Sequence, residues 1–508
     1  MTLSRSSDAG RIPNAVLTVS LAALMSACTV GPDFRAPTEP AVGSYTARDE
    51  GYEEPAGKPG APPAAGAQQL ALGRKISGQW WQLLRSKSLD AVLRQGLADS
   101  PTMAAARATV TQAQQTVREA NGGLWPQLNF AANASRQRSN LANVGLNAPP
   151  TIYNYYSFGP NISYDLDLFG SQRRRIEQQV ALAAYETGQL NAAYLTLTGN
   201  AVQQAVSIAS LRAQLAAVAE IVADDQKNID AVREQLKVGE ATRVDLQSAT
   251  TQLETDRTQL PTLRQQLSVA RHALSVLVGK APAEWTPPDF DLAEFTLPTD
   301  LPVSLPSQLV HQRPDILSAE AQLHAATAAV GVATAQLYPN INLTAAIGQQ
   351  ALSPDVLFGP SGLMWSLGAG LTAPLFHGGA LTAHKRAAEA ALAAQFATYR
   401  QTVVQSFGQV ADVLAALAHD GELLAGETRA VASAGEEAKL TRASYVGGTD
   451  VTFLQVLDAE RQYERARLGY VRAEAQRYLD TAQLFIAMGG GWWSDTTQAT
   501  SAAGTPAG

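Results

Sequence analysis

Residues 100–130 read SPTMAAARATVTQAQQTVREANGGLWPQLNF, and residues 313–343 read RPDILSAEAQLHAATAAVGVATAQLYPNINL. In both stretches two prolines stand 25 residues apart, and an aromatic residue comes directly before the second proline. The two stretches begin 213 residues apart, which far exceeds the roughly 20–50-residue period of a solenoid. The match therefore indicates a duplicated unit.

Further matches keep the same order in both halves. DLDLFGSQRRR aligns with TAPLFHGGALT when Phe169 is paired with Phe376, and VGEATRVDL aligns with VGGTDVTFL. Phe169 stands 70 residues before Gly239, and Phe376 stands 71 residues before Gly447. Each half is thus expected to fold in the same way.

Each half begins with a helix of about 22 residues, because a proline at the first turn is a common helix start. Two strand-like runs follow, rich in Asn, Ser, Gly and aromatic residues. Runs of about ten residues with this composition are typical of membrane β-barrels. The expected strands are Leu128–Gln137, Ser157–Leu168, Ile341–Gln350 and Leu363–Phe376.

A very long helix is predicted after the strands of each half. From Ile176 onward apolar residues recur in alternating steps of four and three, the pattern of a coiled coil. No proline interrupts Ser171–Glu240, so this helix would span about 100 Å. Return helices at Arg243–Val278 and Val451–Met488 would each span about 55 Å, and the short helix of the same half would cover the remaining length.

Glycines end both long helices in this prediction. Gly239 follows the first long helix, and Gly447 with Gly448 follows the second. Thr242 and Asp450 are the expected N-caps of the return helices.

Cys28 is the only cysteine of the chain. It follows an arginine-bearing start and the apolar run Ala15–Ala27, and Ser26 and Ala27 come directly before it. This order resembles a signal peptide that ends in a bacterial lipobox, in which the cysteine is lipidated and becomes the first mature residue. Thr29 fits export to the outer membrane. The alternative is an ordinary signal peptide with an incidental cysteine.

The composition argues against several classes of function. The net charge is −7 without a polybasic run, which disfavours nucleic acid as a partner. No uninterrupted apolar run after Cys28 reaches 18 residues, so no transmembrane helix is predicted there. No HExxH motif, nucleophile elbow or phosphate-binding glycine loop occurs, so we predict no enzyme activity, catalytic residue, metal site or cofactor besides the covalent lipid.

Four membrane strands cannot close a barrel, since single-chain barrels begin at about eight strands. Open sheet edges are not tolerated in lipid. The chain is therefore expected to share a barrel with copies of itself and to act as a conduit. The strand count alone leaves a dimer, a trimer or a tetramer open.

Several motifs resemble the TolC-like outer-membrane efflux proteins, and specifically the lipoprotein branch that serves resistance-nodulation-division pumps. They are CTVGPDFRAP at Cys28, QWWQLLRSKSLDAVLRQGLADSP at Gln79, RPDI at Arg313, and the turns VGEAT and VGGTD. The resemblance covers nearly all of the chain from Cys28 to Met488.

The resemblance implies a fold of α-helices plus membrane β-strands: an internally duplicated protomer with four strands and long coiled-coil helices. Three protomers would form a homotrimer with a 12-stranded β-barrel, continued by an α-helical barrel. It further implies a periplasmic adaptor protein, an inner-membrane resistance-nodulation-division transporter, and a lipid-anchored location in the outer membrane that extends into the periplasm. The function implied is a passive exit duct of a tripartite efflux pump.

Candidate residues follow from the resemblance, each beside a simpler structural role. The adaptor-contact candidates, which also suit any helical hairpin, are Val238, Gly239, Thr242, Val446, Gly447 and Asp450. The gate candidates, which also suit a solvated helix face, are Asp412, Asp224 and Asp225. The membrane-interface aromatics, which could instead pack between strand and helix, are Trp125, Tyr153, Tyr155 and Trp365.

The expected organisation is a signal peptide, an N-terminal extended segment, a first repeat, a linker, a second repeat and a C-terminal tail. These occupy residues 1–27, 28–78, 79–282, 283–304, 305–488 and 489–508. Two other functions stay open at this point: the exit duct of a protein-secretion system, and a lipid-anchored periplasmic coiled-coil spacer.

Overall fold

The computed structural model describes residues 29–38, 40–46, 68–74, 76–140, 149–448 and 451–492. Its helices are α1 (Lys87–Asp99), α2 (Pro101–Gly122), α3 (Ser171–Val238), α4 (Arg243–Arg257), α5 (Gln259–Val278), α6 (Pro306–Leu309), α7 (Pro314–Ala335), α8 (Ala380–Val446) and α9 (Phe453–Ala487). Its strands are β1 (Gln69–Leu72), β2 (Gln127–Ser139), β3 (Thr151–Leu166), β4 (Asp300–Val303), β5 (Asn340–Ala351) and β6 (Leu363–Thr372).

The two halves have the same order of elements, as the repeat predicted. The short helices α2 and α7 each contain 22 residues. The long helices α3 and α8 contain 68 and 67 residues. Two strands lie between the short and the long helix in each half, so the duplicated layout is present in the fold.

The return helix of the first half differs from the expected single helix. It is broken at Thr258 into α4 and α5. Pro261 lies in the first turn of α5. A proline there has no N–H to donate and its ring would clash with the carbonyl of Arg257, four residues earlier. The return helix of the second half, α9, has no proline and continues unbroken for 35 residues.

Four strands form one antiparallel sheet in the order β2-β3-β5-β6. The strands of each half pair with each other, and β3 pairs with β5 across the two halves. The expected strands are all present, but β6 ends at Thr372 rather than Phe376. Pro374 follows, and it has no N–H to continue a ladder. Separately, β1 and β4 form a short parallel pair.

The chain divides into two compact units that each draw on both halves. Among the described residues, one unit comprises 29–36, 110–140, 149–185 and 319–399, and it contains the four-stranded sheet. The other comprises the described residues of 37–109, 186–318 and 400–492, and it contains most of each long helix.

The second unit has a large apolar core. Trp80 and Trp81 are fully buried there, and the Trp80 ring stacks on Phe485 with centroids 5.4 Å apart. Residues of the predicted coiled-coil stripe on α3 are buried in it, namely Leu197, Ala201, Ala205 and Ile208. Because each fully buried large apolar side chain contributes about 1.5–3 kcal/mol, this core is a main source of stability for the unit.

Arg313, the first residue of the RPDI motif, joins three helices within the second unit. Its guanidinium group donates two hydrogen bonds to Asp315, at 3.1 and 2.8 Å. It also donates to the carbonyl of Ala487 at 2.8 Å and to the side chain of Gln409 at 2.7 Å. Arg313 is 7% exposed, and its bond to Ala487 is buried, whereas Asp315 is partly exposed to water. The motif thus fixes the start of α7 against α8 and the end of α9.

Replacement of Arg313 by alanine is expected to lower the free energy of unfolding by about 2–4 kcal/mol, because the Ala487 carbonyl and the Gln409 amide lose a buried charged donor. Thermal unfolding of the purified protein, followed by circular dichroism, measures this change. Arg233→Ala is the matched control, since its guanidinium is 55% exposed and pairs with Asp230 at the surface. Equal midpoints for the two variants would show that Arg313 is not an anchor.

Candidate functional site

One face of the four-stranded sheet is apolar across all four strands. The ladder places Leu128 opposite Ile162, Ile162 opposite Ala345, and Ala345 opposite Leu367. Because side chains alternate between faces along a strand, every second residue belongs to this surface. Arg136 and Arg138 of β2 also belong to it, towards the β2–β3 turn. Its larger apolar members are Leu128, Phe130, Ile152, Tyr156, Phe158, Ile162, Tyr164, Leu166, Ile341, Leu343, Ile347, Leu363, Trp365, Leu367 and Leu371. Several are more than half exposed, as expected of a surface that meets lipid.

The opposite face of the sheet is polar. It carries Asn, Gln, Ser, Thr and Asp side chains from the alternate positions of the same strands. Asn342 donates a hydrogen bond to Asp165 at 2.7 Å, and Tyr155 donates one to Gln350 at 3.0 Å. An apolar face and a polar face on one sheet are the features of a barrel with a lipid-facing outside and a water-filled inside.

The predicted interface aromatics fall on different sides of this sheet. Trp365 lies on the apolar face and is 71% exposed. Trp125 precedes β2 and is equally exposed. Tyr153 and Tyr155 lie on the polar face, where Tyr153 donates to Gln137 at 3.3 Å. That placement does not fit an interface role for the two tyrosines. The strand was expected to begin at Ser157, and its real start at Thr151 puts both tyrosines in register with the polar positions.

Aromatic pairs lie at two levels of the sheet, and most of their members lie in or beside the strand runs that the sequence predicted. Phe158 contacts Phe130 and Phe358, with ring centroids 6.4 and 5.4 Å apart. Phe169 stacks on Tyr338 at 4.7 Å, just beyond the opposite ends of β3 and β5. At ~3.3 Å per residue, the stretch from Phe158 to the end of β3 spans about 26 Å. This matches the ~25 Å apolar band of outer-membrane barrels between their aromatic girdles.

The segment after Cys28 is attached to the start of α3. The Val30 N–H donates to the carbonyl of Phe169 at 3.2 Å, and Arg174 donates to Asp33 at 2.6 Å. The Arg174 side chain is 5% exposed and also donates to the carbonyl of Val30 at 3.3 Å. Cys28 itself lies outside the described residues, so its lipidation stays a prediction.

The first helical hairpin turns at Gly239. Its φ is +82°, a left-handed conformation that glycine adopts without steric cost. Val238, the last residue of α3, is 71% exposed. Thr242 is the N-cap of α4, as predicted, and forms a capping box with Asp245.

The second hairpin turns at Gly448, the second glycine of the predicted Gly447–Gly448 break. Gly448, with φ +71°, has the left-handed conformation, while Gly447 does not. Val446 ends α8 and is 78% exposed. The N-cap of α9 is Thr452 rather than Asp450, because Thr452 and Gln455 exchange the hydrogen bonds of a capping box. Asp450 lies outside the described residues.

A small apolar cluster packs the two hairpins together. It comprises Ile229 and Val232 of α3, Ala249 and Leu253 of α4, and Phe453 and Leu457 of α9. Tyr445 packs on Phe453 at 5.8 Å and donates a hydrogen bond to Gln235 at 2.8 Å. The exposed valines Val238 and Val446 therefore lie at the ends of helices that this cluster holds together.

The gate candidates differ in their accessibility. Asp412 is exposed on α8 between buried residues of the core face, so it remains available to line a channel. Asp224 is exposed and forms an ion pair with Lys227 at 2.8 Å. Asp225 is only 4% exposed within the protomer. It cannot line a lumen in this conformation, because its side chain points into the packing between helices.

The electrostatics around Asp225 are unusual. Asp225, Asp256 and Glu464 each place one carboxylate oxygen within 4.8 Å of the others. Burial, and then the neighbouring acidic groups, raise the pKa of Asp225 to about 7 and the pKa of Glu464 to about 8. Asp256 and Glu464 were not predicted, since nothing in the local sequence brings them to Asp225.

One described helix, Ser171–Val238, passes a length and composition test for membrane spanning, with a mean hydropathy of 1.5 in its most apolar window. The prediction of no transmembrane helix is based on uninterrupted apolar runs, whereas the mean hydropathy of a window can be high even when the window contains isolated polar residues. Because 56% of that window is buried inside the protein, packing in the core accounts for its composition.

Comparison with known proteins supports the interpretation of the sheet and the hairpins. The profile of the family described as "Outer membrane efflux protein" matches residues 92–280 and 305–490, one match for each half. The outer membrane protein OprJ of Pseudomonas aeruginosa is 30% identical over 483 residues, covering 93% of this chain and 96% of OprJ.

Two further matches cover nearly the whole chain. The toluene efflux pump outer membrane protein TtgF of Pseudomonas putida is 29% identical over 95% of this chain and 98% of TtgF. Among solved structures, the outer-membrane channel OprN covers 92% of this chain and all of its own, with a TM-score of 0.83 at 24% identity. The likeness to OprN shows the fold.

These findings confirm the predicted fold class, the outer-membrane location that extends into the periplasm, and the function as the outer-membrane channel component of an efflux pump. They disfavour a periplasmic spacer, which would need no membrane strands, and the named relatives are described as components of efflux pumps and not as secretion ducts. Since the family profile covers most of both halves, the chain belongs to the outer membrane efflux protein family.

Proposed function

We propose that three copies of this chain close a 12-stranded barrel and form the passive exit duct of a tripartite efflux pump. The observation that carries this proposal is the pair of free sheet edges. Among the described residues, β2 and β6 each pair with a neighbour on one side only. Both strands also carry the apolar face that meets lipid, so their edges lie where no water can hydrogen-bond to them.

The energetic argument favours shared closure. An unsatisfied backbone N–H or C=O costs several kcal/mol in hydrocarbon, and a strand of ten or more residues presents about half of its groups on each edge. Pairing β6 of one copy with β2 of the next satisfies these groups in every copy. Three chains of four strands give the even strand number that outer-membrane barrels use.

The partners follow from the proposed role. The relatives are components of efflux pumps, so a periplasmic adaptor and an inner-membrane resistance-nodulation-division transporter are the expected partners of this channel. The channel itself supplies no energy. An adaptor opens it only if it binds the open state more tightly than the closed state. The exposed hairpin ends at Val238 and Val446 are the surfaces proposed for adaptor contact.

A lipid at Cys28 is the proposed second anchor. The first described residues after it, Thr29 to Phe34, are held at the junction of β3 and α3. The Phe34 ring stacks on His324 at 4.2 Å, which adds to this attachment. An acyl chain at Cys28 would therefore enter the bilayer beside the sheet. Each buried methylene would add about 0.8 kcal/mol to membrane binding.

Cysteine cross-linking across the sheet edges tests the shared barrel. In a Cys28→Ser background, Asn133→Cys on β2 is combined in turn with Ser366→Cys, Gly368→Cys and Gly370→Cys on β6, which belong to the same polar face. Oxidised membranes are expected to give covalent dimers and trimers on denaturing gels, and nothing larger.

The control is Asn133→Cys alone, which should remain monomeric because β2 meets β6 of the neighbour and not another β2. A ladder that stops at dimers or continues to tetramers would contradict the trimer. Absence of cross-links at every position on β6 would contradict the shared barrel itself.

Negative charge at the hairpin ends should weaken adaptor binding. Val238→Glu with Val446→Glu places carboxylates on two exposed side chains without disturbing the left-handed glycines. We expect at least a tenfold loss of chemical cross-linking to the adaptor while the oligomer is unchanged. The matched variant Val238→Thr with Val446→Thr keeps the shape and should cross-link normally. Full cross-linking and export by the glutamate variant would exclude these ends as the contact surface.

Cys28→Ser is expected to abolish incorporation of labelled palmitate, since serine provides no thiol for the lipid. Mass spectrometry of the mature N-terminus provides the second measurement. The sheet should still enter the outer membrane, because its apolar face does not depend on the lipid. No lipid on the parent protein would favour an ordinary signal peptide with an incidental cysteine, and equal lipid on the serine variant would place the lipid on another residue.

A further inference from the structure

Three acidic side chains meet between helices of the second unit, where Asp225 and Asp256 are buried and Glu464 is half-buried. Asp225 belongs to α3, Asp256 to α4 and Glu464 to α9. Asp225 lies 14 residues before Gly239, and Asp256 lies 14 residues after Thr242. Along an α-helix this places the cluster about 20 Å behind the hairpin ends. It therefore connects the long helix of the first half to the return helices of both halves.

One of these carboxylates has an oxygen with no partner. Asp225 is 4% exposed, and its Oδ2 atom has no hydrogen-bond partner among the described residues. The two oxygens of Asp256, by contrast, accept hydrogen bonds from Gln252 at 2.6 Å and Gln259 at 2.9 Å. A buried polar atom without a partner costs about 1–3 kcal/mol, and more when it is charged. When the three carboxylates are ionised, the site thus lacks one positively charged or donating group.

Three basic side chains of the surrounding helix segments are paired with other acids. Lys227 pairs with Asp224 at 2.8 Å, and Arg257 pairs with Glu254 at 2.7 Å. A third pair joins Arg442 to Glu460 at 3.1 Å. Among the residues that the structure describes, none of the three clustered carboxylates forms an ion pair with a basic side chain.

We propose that Asp225, Asp256 and Glu464 bind one hard divalent cation of the size of calcium in each chain. Carboxylate oxygens are the ligands that such ions prefer. Calcium–oxygen distances of about 2.3–2.6 Å allow two ligands on opposite sides of the ion to lie up to about 5.2 Å apart, whereas magnesium allows about 4.2 Å. The three oxygens lie within 4.8 Å of one another, which is inside the reach of one calcium ion, and a site of three carboxylates suits calcium better than magnesium, which usually keeps several waters.

The chemistry of the site argues against zinc. Zinc sites in proteins are built mostly from cysteine and histidine, and no described side chain of either kind belongs to this cluster. The three carboxylates, with water completing the coordination, supply only oxygen.

A cation at this position would join three helices that otherwise repel one another there. Its charge offsets the mutual repulsion of the carboxylates and supplies the missing partner of Asp225. Because an ion bound to the folded protein stabilises it by mass action, calcium should raise the unfolding temperature. The sequence predicted no metal site, since the ligands are separated by 31 and 208 residues.

Calcium titration of the full-length protein tests the proposal. The purified oligomer in detergent is treated with EDTA, freed of chelator, and titrated with CaCl₂ in a calorimeter. The expected result is one calcium ion bound per chain, with magnesium binding at least tenfold more weakly. Saturating calcium should also raise the thermal unfolding midpoint.

Two neutral variants and one control complete the experiment. Asp225→Asn and Glu464→Gln keep the side-chain shape, and each should weaken calcium binding at least tenfold. Glu422→Gln removes a carboxylate that is 83% exposed, and it should bind calcium as the parent does.

The proposal is overturned if the parent protein shows no saturable calcium binding up to about 10 mM, a concentration far above that of ordinary calcium sites. It is also overturned if the control loses binding as much as the cluster variants do. Magnesium binding as tight as calcium binding would overturn the assignment by size. The measurement on the parent protein decides the question even if a variant fails to fold.

Discussion

The free edges of one four-stranded sheet are the constraint on which the rest of this structure depends. In water, the exposed N–H and C=O groups of β2 and β6 could bond to solvent, but beside lipid they have no such partner. The apolar face that includes Leu128 and Trp365 makes lipid the environment of this sheet. A protomer with these properties is incomplete alone, so the channel belongs to the assembly and not to any single chain.

The two halves of the duplicated chain supply the same set of helices and strands, and they differ in their turns, helix caps and one proline. The hairpins turn at Gly239 and at Gly448, and different capping boxes, built on Thr242 and Thr452, start the return helices. Pro261 breaks one return helix, while its counterpart remains continuous. Each change alters a turn or a cap, and the helical packing behind it is kept.

Buried charged groups in this protein differ in whether they have hydrogen-bond partners of opposite character. Arg313 is surrounded by four acceptor contacts from Asp315, Gln409 and Ala487, so its burial is compensated. Asp225 is buried and Glu464 half-buried among other acids, and burial together with that repulsion holds their pKa values near 7 and 8. A buried charge with enough hydrogen-bond partners holds its helices together. In the acidic cluster the partners are lacking, so the packing of the hairpins depends on whether protons or a cation neutralise the carboxylates.

The sequence by itself determined the elements, their order and the need for partner chains. Paired prolines, the heptad stripe on α3 and the composition of the strand runs are local signals, and each depends on residues close together in the chain. The sequence did not determine which face received Tyr153 and Tyr155, because that required the true start of β3 at Thr151. Only the tertiary structure decided that Asp225 is buried beside Asp256 and Glu464. The burial of a side chain depends on neighbours that come from distant positions in the sequence, and the periodic pattern of a single helix does not reveal which residues those neighbours are.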